Sequence, residues 1–444
     1  MSRSVDTDRF RPPRRFLALA ERLRGEGFET WAVGGSIRDA CAGAVAGRAY
    51  EVARDWDLAT DARPDDVLRL FRRTVPIGLE HGTVGVLEDD QLFEVTTFRR
   101  DVETDGRHAT VVFADTIDED LERRDFTINA IAWNLATDEL RDPSGGIDDL
   151  ADGILRAVGD PADRFREDYL RVLRGLRFAG RFDLEIEAET RAALEAAVPG
   201  LPRLSAERVR EELVKVLSDA TPSTTLDLYA TTGVLPSWYE ELVEASADRT
   251  AWLATLSAVD AIRPHRPRLR LARWLVQVSD DPEGRADRTD ALAKRLRFSN
   301  ADRKTAVALS RHYLPFVGPL DSSAQHRRWL SEVGDRWRDV FRLHLADARG
   351  GRSDEAGRYV TATWRIVHEE RAGGTPLAIT DLAVDGDDVL GLGITHGPIV
   401  GLLLEELLEQ VLEDPTANTR ESLLDEARRL IELGSLAGPG GPDV

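Results

Sequence analysis

The chain has 444 residues, a hydrophobic content of 42% and a formal net charge of −21. Its length predicts more than one domain, and it contains no run of about 18 apolar residues that would indicate a membrane span. The N-terminus lacks the apolar core of a secretion signal, and the single cysteine, Cys41, excludes an intramolecular disulfide and a thiolate metal cluster. We therefore expect a cytoplasmic protein with no membrane partner.

The charged residues are mostly acidic, and the basic ones are almost all arginine. Acidic residues number 80 and basic residues 59, and all of the basic ones are arginines except Lys215, Lys294 and Lys304. The overall charge argues against a nucleic-acid partner, because phosphate binding needs positive potential. Arginine is, however, the better residue for bidentate phosphate and base contacts. A local basic groove on an acidic body is compatible with this composition.

The first 150 residues or so predict an α/β unit. A helix over residues 14–30 precedes the strand FETWAVGG and a helix at SIRDACAG, for which Ser36 is a suitable cap. The strand RDWDLAT, a helix with Pro64 in its first turn and a hairpin around the turn Glu88–Asp90 follow. The segments VVFADT, ERRDFTINAIAWNL and ELRDPSGG complete the unit.

After that point the pattern changes to helices. Apolar residues recur at helical spacing in PADRFREDYLRVLRGLRFAGRF, AETRAALEAAV and SAERVREELVKVL. Breaks at residues 350–358 and 371–376 precede a distinct small unit at the C-terminal end. The chain shows no internal repeat.

Two aspartates flank Trp56 in the second predicted strand. Residues i and i+2 of a strand point to the same face, so Asp55 and Asp57 are expected to project together. Adjacent carboxylates repel unless a cation lies between them, and two-metal nucleotidyl transfer uses this arrangement to hold Mg²⁺. Because Asp-x-Asp is common, a solvated strand edge with Asp57 as a turn acceptor is the alternative interpretation.

The stretch VGGSIRDA lies upstream of this pair. Gly34 and Gly35 allow the backbone to approach a ligand, and the following helix offers free N–H groups to a phosphate. Arg38, in the first turn, is placed to pair with a triphosphate. The alternative is an ordinary strand-to-helix turn that carries surface charges.

Glu94 lies in an apolar strand, between Phe93 and Val95. Strand alternation leaves two interpretations open: an exposed residue on a half-buried strand, or a third carboxylate aimed at a cation. We favour the third catalytic carboxylate.

Seven motifs occur in order: VGGSIRD, DWDLAT, HGTVGV, TTFRRDVETDGRH, RRDFTINA, EDYLRVLRGLRF and SAERVREEL. Together they resemble class II CCA-adding enzymes, the tRNA nucleotidyltransferases of the polymerase β superfamily. The segment that begins at Pro376 is similar to the C-terminal tRNA-contacting segment of that family.

The resemblance implies an α+β fold, in which an N-terminal mixed-sheet nucleotidyltransferase domain of the polymerase β type precedes all-helical neck, body and tail domains. The implied boundaries are a catalytic head over residues 1–150, a nucleotide-selecting neck over 151–235, an RNA-binding body over 236–370 and a tRNA-contacting tail over 371–444.

The resemblance also implies roles for the motif residues. Asp55 and Asp57 would be the metal ligands, and Gly35 and Arg38 would cradle the triphosphate beside Gly34. In RRDFTINA, Arg124 would contact the incoming nucleotide, and Asp125 and Asn129 would brace the site or hold the ribose. A salt-bridged surface cluster is the alternative interpretation of RRD.

The stretch EDYLRVLRGLRF places Asp168 and Arg171 three residues apart, which predicts a shared helix face that Arg174 and Arg177 continue. By resemblance, Asp168 and Arg171 would hydrogen-bond the edge of the incoming base. A carboxylate accepts from the exocyclic amine of C or A, and arginine donates to a ring nitrogen or carbonyl, so the pair would reject U and G. Arg174 and Arg177 would face the nucleotide phosphates or stack. The alternative is a helix with i,i+3 ion pairs over a leucine stripe.

The function that this resemblance implies is addition of C, C and A to the 3′ end of tRNA from CTP and ATP, with release of pyrophosphate and with Mg²⁺ as cofactor. The loop over residues 99–109 matches a flexible loop of the family and favours complete addition. A poly(A) polymerase, a CC- or A-only enzyme, and a catalytically inactive RNA-binding module are the alternatives. Val276 and Gln277 stand where some relatives carry a His-Asp pair, so we expect no phosphohydrolase activity. Both a monomer and a homodimer remain open.

Overall fold

The structure, a computed structural model, describes residues 5–46, 55–104, 109–313, 323–350, 354–394 and 398–433. Contacts within the chain define two compact units. The first comprises Met1–Ser246 with Arg295–Arg297, and the second comprises Ala247–Lys294 with Phe298–Val444. The division into four domains that the sequence suggested stays a prediction.

The strands of the described residues lie in the first unit. They are β1 Thr30–Val33, β2 Asp57–Thr60, β3 Thr74–Gly78, β4 Thr83–Glu88, β5 Gln91–Thr97, β6 Arg99–Thr104, β7 Ala109–Phe113, β8 Ala132–Asn134, β9 Leu140–Arg141, β10 Ile154–Leu155 and β11 Glu185–Ile186. Seven of them form one sheet in the order β3-β4-β5-β2-β1-β8-β9. Strand β2 runs parallel to β5, and the other neighbours in this sheet are antiparallel, so the sheet is mixed.

The register of this sheet brings the end of β1 and the start of β2 next to the middle of β5. Val33, the last residue of β1, pairs with Asp57 at the start of β2, and Asp57 pairs with Glu94 of β5. On the other side of the strand end, the buried ring of Trp56 packs at 5.4 Å from Phe16. This aromatic contact fixes the beginning of β2 against the first helix of the chain.

The helices follow in chain order. They are α1 Arg14–Gly25, α2 Gly35–Val45, α3 Pro64–Leu70, α4 Ile117–Glu122, α5 Gly146–Asp152, α6 Pro161–Glu167, α7 Leu170–Phe182, α8 Ala188–Ala197, α9 Ala206–Ser218, α10 Pro222–Thr231, α11 Leu235–Trp238, α12 Val243–Ala247, α13 Arg249–Asp260, α14 Pro267–Leu275, α15 Pro282–Arg295, α16 Asn300–His312, α17 Ser323–Val333, α18 Trp337–Arg349, α19 Asp354–Ala372, α20 Gly386–Leu390, α21 Pro398–Glu413 and α22 Arg420–Glu432. In the described part of the chain, none of them is long and apolar enough to cross a membrane.

The described part of the second unit is helical. Its main core contains Trp329, Trp337 and Phe341, and the ring of Phe341 lies in edge-to-face contact with each of the two tryptophans. A smaller cluster joins α20, α21 and α22 through residues such as Leu407 and Leu423. The mixed sheet followed by helices confirms the predicted α+β class.

Several local predictions need correction. Ser36 is not the cap of α2: Gly34 caps this helix, without a side-chain hydrogen bond, and the Ser36 hydroxyl donates to the carbonyl of Val33 at 3.4 Å. Strand β3 was not predicted, because Pro76 interrupts its apolar pattern. Much of the predicted polar loop over residues 99–109 is a two-stranded ribbon of β6 and β7, and residues 105–108 lie outside the described part.

Candidate active site

The turn between β1 and α2 lies directly against the first carboxylate of β2. Gly34 has a φ of 82°, and a Cβ atom built on it would lie 2.7 Å from Oδ2 of Asp57. Only glycine combines this backbone conformation with so close an approach. The structure therefore places the predicted glycine turn and the predicted metal ligand next to each other, although they belong to separate motifs of the sequence.

Asp57 is surrounded by other carboxylates. It pairs with Glu94 across the parallel strands, so the two side chains lie on the same face of the sheet. Burial, then the charges of Glu94 and Asp55, raises the pKa of Asp57 to about 6, and the nearby charge of Arg124 only partly opposes this shift. A nearby cation would stabilise the ionised form of such a carboxyl group, because it would neutralise the negative charge of the cluster.

Asp55 lies just before β2 rather than within it, because the strand begins at Asp57. Asp55 is exposed and Trp56 is buried, as expected when successive side chains of an extended segment point to opposite sides. Among the residues that the structure describes, no three His, Cys, Asp or Glu side chains form a preformed metal-binding group. Mg²⁺ is commonly held by one or two carboxylates together with substrate phosphates, so the donor set of Asp55 and Asp57 fits this ion without a third protein ligand.

A buried network joins the motif RRDFTINA to helix α7 beside the site. Asp125 accepts hydrogen bonds from the Asn129 side-chain amide at 2.8 Å and from Nε of Arg174 at 2.7 Å. Burial alone would raise the pKa of Asp125, but the charge of Arg174 and these hydrogen bonds lower it to about 2. Arg124, from the same motif, pairs with the buried Asp120. The RRD motif is therefore an internal network rather than a cluster of exposed surface charges.

Arg38 is buried within the first turn of α2. Its guanidinium donates to Asn129 at 2.8 Å and to Asp39, and it stacks over the rings of Phe178 and Phe182. Burial lowers the pKa of Arg38, and the charge of Asp39 opposes that shift. These contacts hold the guanidinium in one position at the edge of the site.

The residues predicted to read the base lie at the junction of two helices. Asp168 is not on the helix with Arg171, as the spacing suggested, because it ends α6 in an extended conformation with φ −153° and α7 begins at Leu170. Arg171 is held by Glu167 at 2.5 Å and by backbone carbonyls. Further along α7, Arg177 pairs at 2.7 Å with Glu212.

All of these elements line one cleft of about 750 Å³. Eleven of the thirteen predicted site residues line it: Gly34, Gly35, Arg38, Asp57, Arg124, Asp125, Asn129, Asp168, Arg171, Arg174 and Arg177. The two others, Asp55 and Glu94, do not line the cleft but lie beside Asp57 in the sequence and the sheet.

The cleft also contains residues that were not predicted, namely His81, Arg99, Arg123, Glu167, Leu170, Phe178, Arg208 and Lys215. Arg208 and Lys215 were within reach of sequence reasoning, since they lie seven residues apart on the helix that the motif SAERVREEL begins. In total, eight arginines and one lysine line the cleft together with four carboxylates. The acidic chain thus carries the local basic groove that its arginine content allowed.

Comparison with known proteins shows which families this chain resembles. Residues 30–156 match the Poly A polymerase head domain family, and residues 183–245 match a family described as the probable RNA and SrmB-binding site of polymerase A. The CCA-adding enzyme of Enterococcus faecalis is 32% identical over 94% of this chain and 96% of its own length. That of Lactiplantibacillus plantarum is 32% identical over 93% and 95%.

A solved structure shows the same architecture. The crystal structure of the Bacillus stearothermophilus CCA-adding enzyme in complex with CTP superimposes with a TM-score of 0.74 at 28% identity, covering 96% of this chain and all of that one. The fold and the cleft define a nucleotidyltransferase of the polymerase β superfamily. The similarity extends far beyond the head domain, over both units. The chain belongs to the family of class II CCA-adding enzymes, which are tRNA nucleotidyltransferases.

Proposed function

We propose that this chain adds C, C and A in turn to the 3′ end of tRNA, from CTP and ATP, with release of pyrophosphate and with protein side chains selecting the nucleotide. The observation that carries the proposal is the single cleft that joins Asp57 at a strand end to Asp168 and the arginines of α7. The cleft thus contains groups suited to phosphate chemistry and groups suited to reading a base.

Asp55 and Asp57 are proposed to hold Mg²⁺, with Glu94 as a supporting carboxylate. The raised pKa of Asp57 supports this assignment, because burial and then the charges of the neighbouring carboxylates make the ionised form unfavourable without a cation. Bound at Asp55 and Asp57, Mg²⁺ would supply charge neutralisation at the reacting phosphate and would lower the pKa of a coordinated hydroxyl. Gly34 leaves room for the Asp57 carboxylate in the cleft, since a Cβ atom on Gly34 would lie 2.7 Å from Oδ2 of Asp57.

The triphosphate is proposed to lie along the arginine-lined wall near Gly35 and Arg38. Arg38 is already oriented by Asn129 and Asp39, so little side-chain entropy is lost when a phosphate binds. Arg174 is partly exposed while its guanidinium stays paired with Asp125. Fixed positive groups of this kind stabilise charge on the leaving pyrophosphate without reorganisation during the reaction.

Asp168 and Arg171 are proposed to read the base edge. An ionised carboxylate only accepts hydrogen bonds, and a guanidinium only donates. C and A present an amine and a ring nitrogen to this pair, whereas U and G present an oxygen to Asp168 and leave buried groups unpaired. The CTP bound to the Bacillus stearothermophilus relative supports a nucleotide substrate of this class.

Nucleotide incorporation into a tRNA transcript that lacks its 3′ CCA tests the proposal. With Mg²⁺ and CTP alone we expect two added residues, and with CTP and ATP together we expect three and then arrest. UTP and GTP should be poor substrates. A homopolymer of A, or arrest after two residues in the presence of both nucleotides, would reject complete CCA addition in favour of the related activities.

A further inference from the structure

Both carboxylate oxygens of Asp168 are held by the protein. Oδ1 accepts a hydrogen bond from the backbone N–H of Leu170 at 3.0 Å, and Oδ2 accepts one from Nη2 of Arg208 at 2.6 Å. Arg208 is distant from Asp168 in the sequence and lies on α9. Because Asp168 is in an extended segment between two helices, helical geometry does not orient its side chain. The contact with Arg208, together with the hydrogen bond from Leu170, supplies that orientation.

The same helix supports a second cleft residue. Glu212, one turn after Arg208, is 1% exposed and pairs with Arg177 and with Lys215, each at 2.7 Å. Burial would raise the pKa of Glu212, but the charge of Arg177 and the hydrogen bonds from Lys215 and Arg177 lower it. Arg208, Glu212 and Lys215 have the i, i+4, i+7 spacing of one helix face. That face of α9 therefore contacts the groups of the cleft that belong to the helices before it.

We propose that Arg208 is a positioning residue that determines nucleotide specificity by holding the carboxylate of Asp168. This inference rests on the proposed role of Asp168 in reading the base. A carboxylate has about four lone-pair sites, so the bonds from Leu170 and Arg208 leave acceptor capacity for the amine of C or A. Held at both oxygens, Asp168 presents its free lone pairs in a fixed direction. Without Arg208 the side chain can rotate, and water can bridge it to the oxygen of U.

The experiment compares kcat/KM for CTP with kcat/KM for UTP on a tRNA transcript that lacks CCA. The variants are Arg208→Gln, Asp168→Asn and the double variant. Arg208→Gln is expected to reduce the CTP-to-UTP ratio by about ten- to hundredfold, the range for a lost hydrogen bond to a charged group. Arg208→Lys, which keeps a positive charge and a donor, is expected to restore part of the ratio. Arg191→Gln is the matched control, because Arg191 pairs with Glu195 on α8 outside the cleft.

The double variant separates positioning from direct contact. If Arg208 acts through Asp168, adding Arg208→Gln to Asp168→Asn changes the ratio little further. An unchanged CTP-to-UTP ratio in Arg208→Gln overturns the inference. The inference is also overturned if the double variant loses the product of the two single-variant reductions in this ratio, because Arg208 would then contact the base itself. If Asp168→Asn alone leaves the CTP-to-UTP ratio unchanged, Asp168 does not read the base, and the inference about Arg208 is then also refuted. Thermal melting of each variant shows whether the fold is retained.

Discussion

Replacing Asp57 with asparagine should stabilise the metal-free protein while it abolishes nucleotide incorporation. The raised pKa, about 6 against an ordinary value of 3.8, means that the folded state disfavours the ionised carboxyl. A difference of about two pKa units corresponds to a cost of up to about 3 kcal/mol. The proton is bound more tightly in the folded state, so this cost is fully present above pH 6 and is lost as the pH falls towards the unfolded pKa. The uncharged amide of the Asp57→Asn variant would carry no such cost.

Thermal melting in EDTA measures the effect. For a unit of this size each kcal/mol shifts Tm by roughly 2–4 °C, so a rise of several degrees is expected near neutral pH, and it should shrink as the pH falls towards about 4. Mg²⁺ should raise the Tm of the unsubstituted protein and have little effect on Asp57→Asn. Asp55→Asn is the matched control, because Asp55 is exposed and should give little stabilisation while it also loses turnover.

A lower Tm for Asp57→Asn in EDTA would refute the electrostatic reasoning, and so would a gain that does not depend on pH. Normal incorporation by Asp57→Asn would instead refute its assignment as a metal ligand.

Three further expectations concern the same cleft. The activity should fall as the pH drops through about 6, because protonation of Asp57 competes with Mg²⁺ binding. A higher Mg²⁺ concentration should therefore shift this loss of activity to lower pH. A loss of activity whose pH midpoint does not depend on the Mg²⁺ concentration would contradict this expectation. Gly34→Ala should lower both Tm and incorporation, since its Cβ would lie 2.7 Å from Oδ2 of Asp57 at a φ of 82°, whereas Gly25→Ala, with open space at its Cβ, is the control. Asp125→Ala should destabilise the first unit by about 3–5 kcal/mol by leaving Arg174 without its partner, measured by denaturant unfolding. Because the pKa of Asp125 is lowered to about 2, the stabilisation from its pair with Arg174 is present above the unfolded pKa of Asp125 and is lost only as the pH falls towards 2. If this stabilisation were already absent near neutral pH, the ion pair could not be its source.

Local patterns in the sequence were sufficient for much of the fold, and together with the family resemblance they named most of the predicted residues that line the cleft. The hairpin of β4 and β5 followed from alternating apolar residues, and its turn has positive φ at Asp89 and Asp90. Pro64 begins α3 as its position predicted. Trp56 is buried between its two aspartates because side chains alternate in an extended segment. Each of these features depends on interactions between neighbours in the chain.

Only the tertiary structure decided which side chains meet and what charge state they hold. Asp57 acquires a pKa of about 6 because it is buried and a parallel strand pairing brings Glu94 beside it, and no local pattern specifies that pairing. Asp168 lies at a helix junction and is held by Arg208 from a later helix, although its spacing suggested a place on the same helix as Arg171. The physical reason is that local sequence determines the geometry of an element, whereas burial, charge and hydrogen bonding depend on partners that only the packed chain brings together.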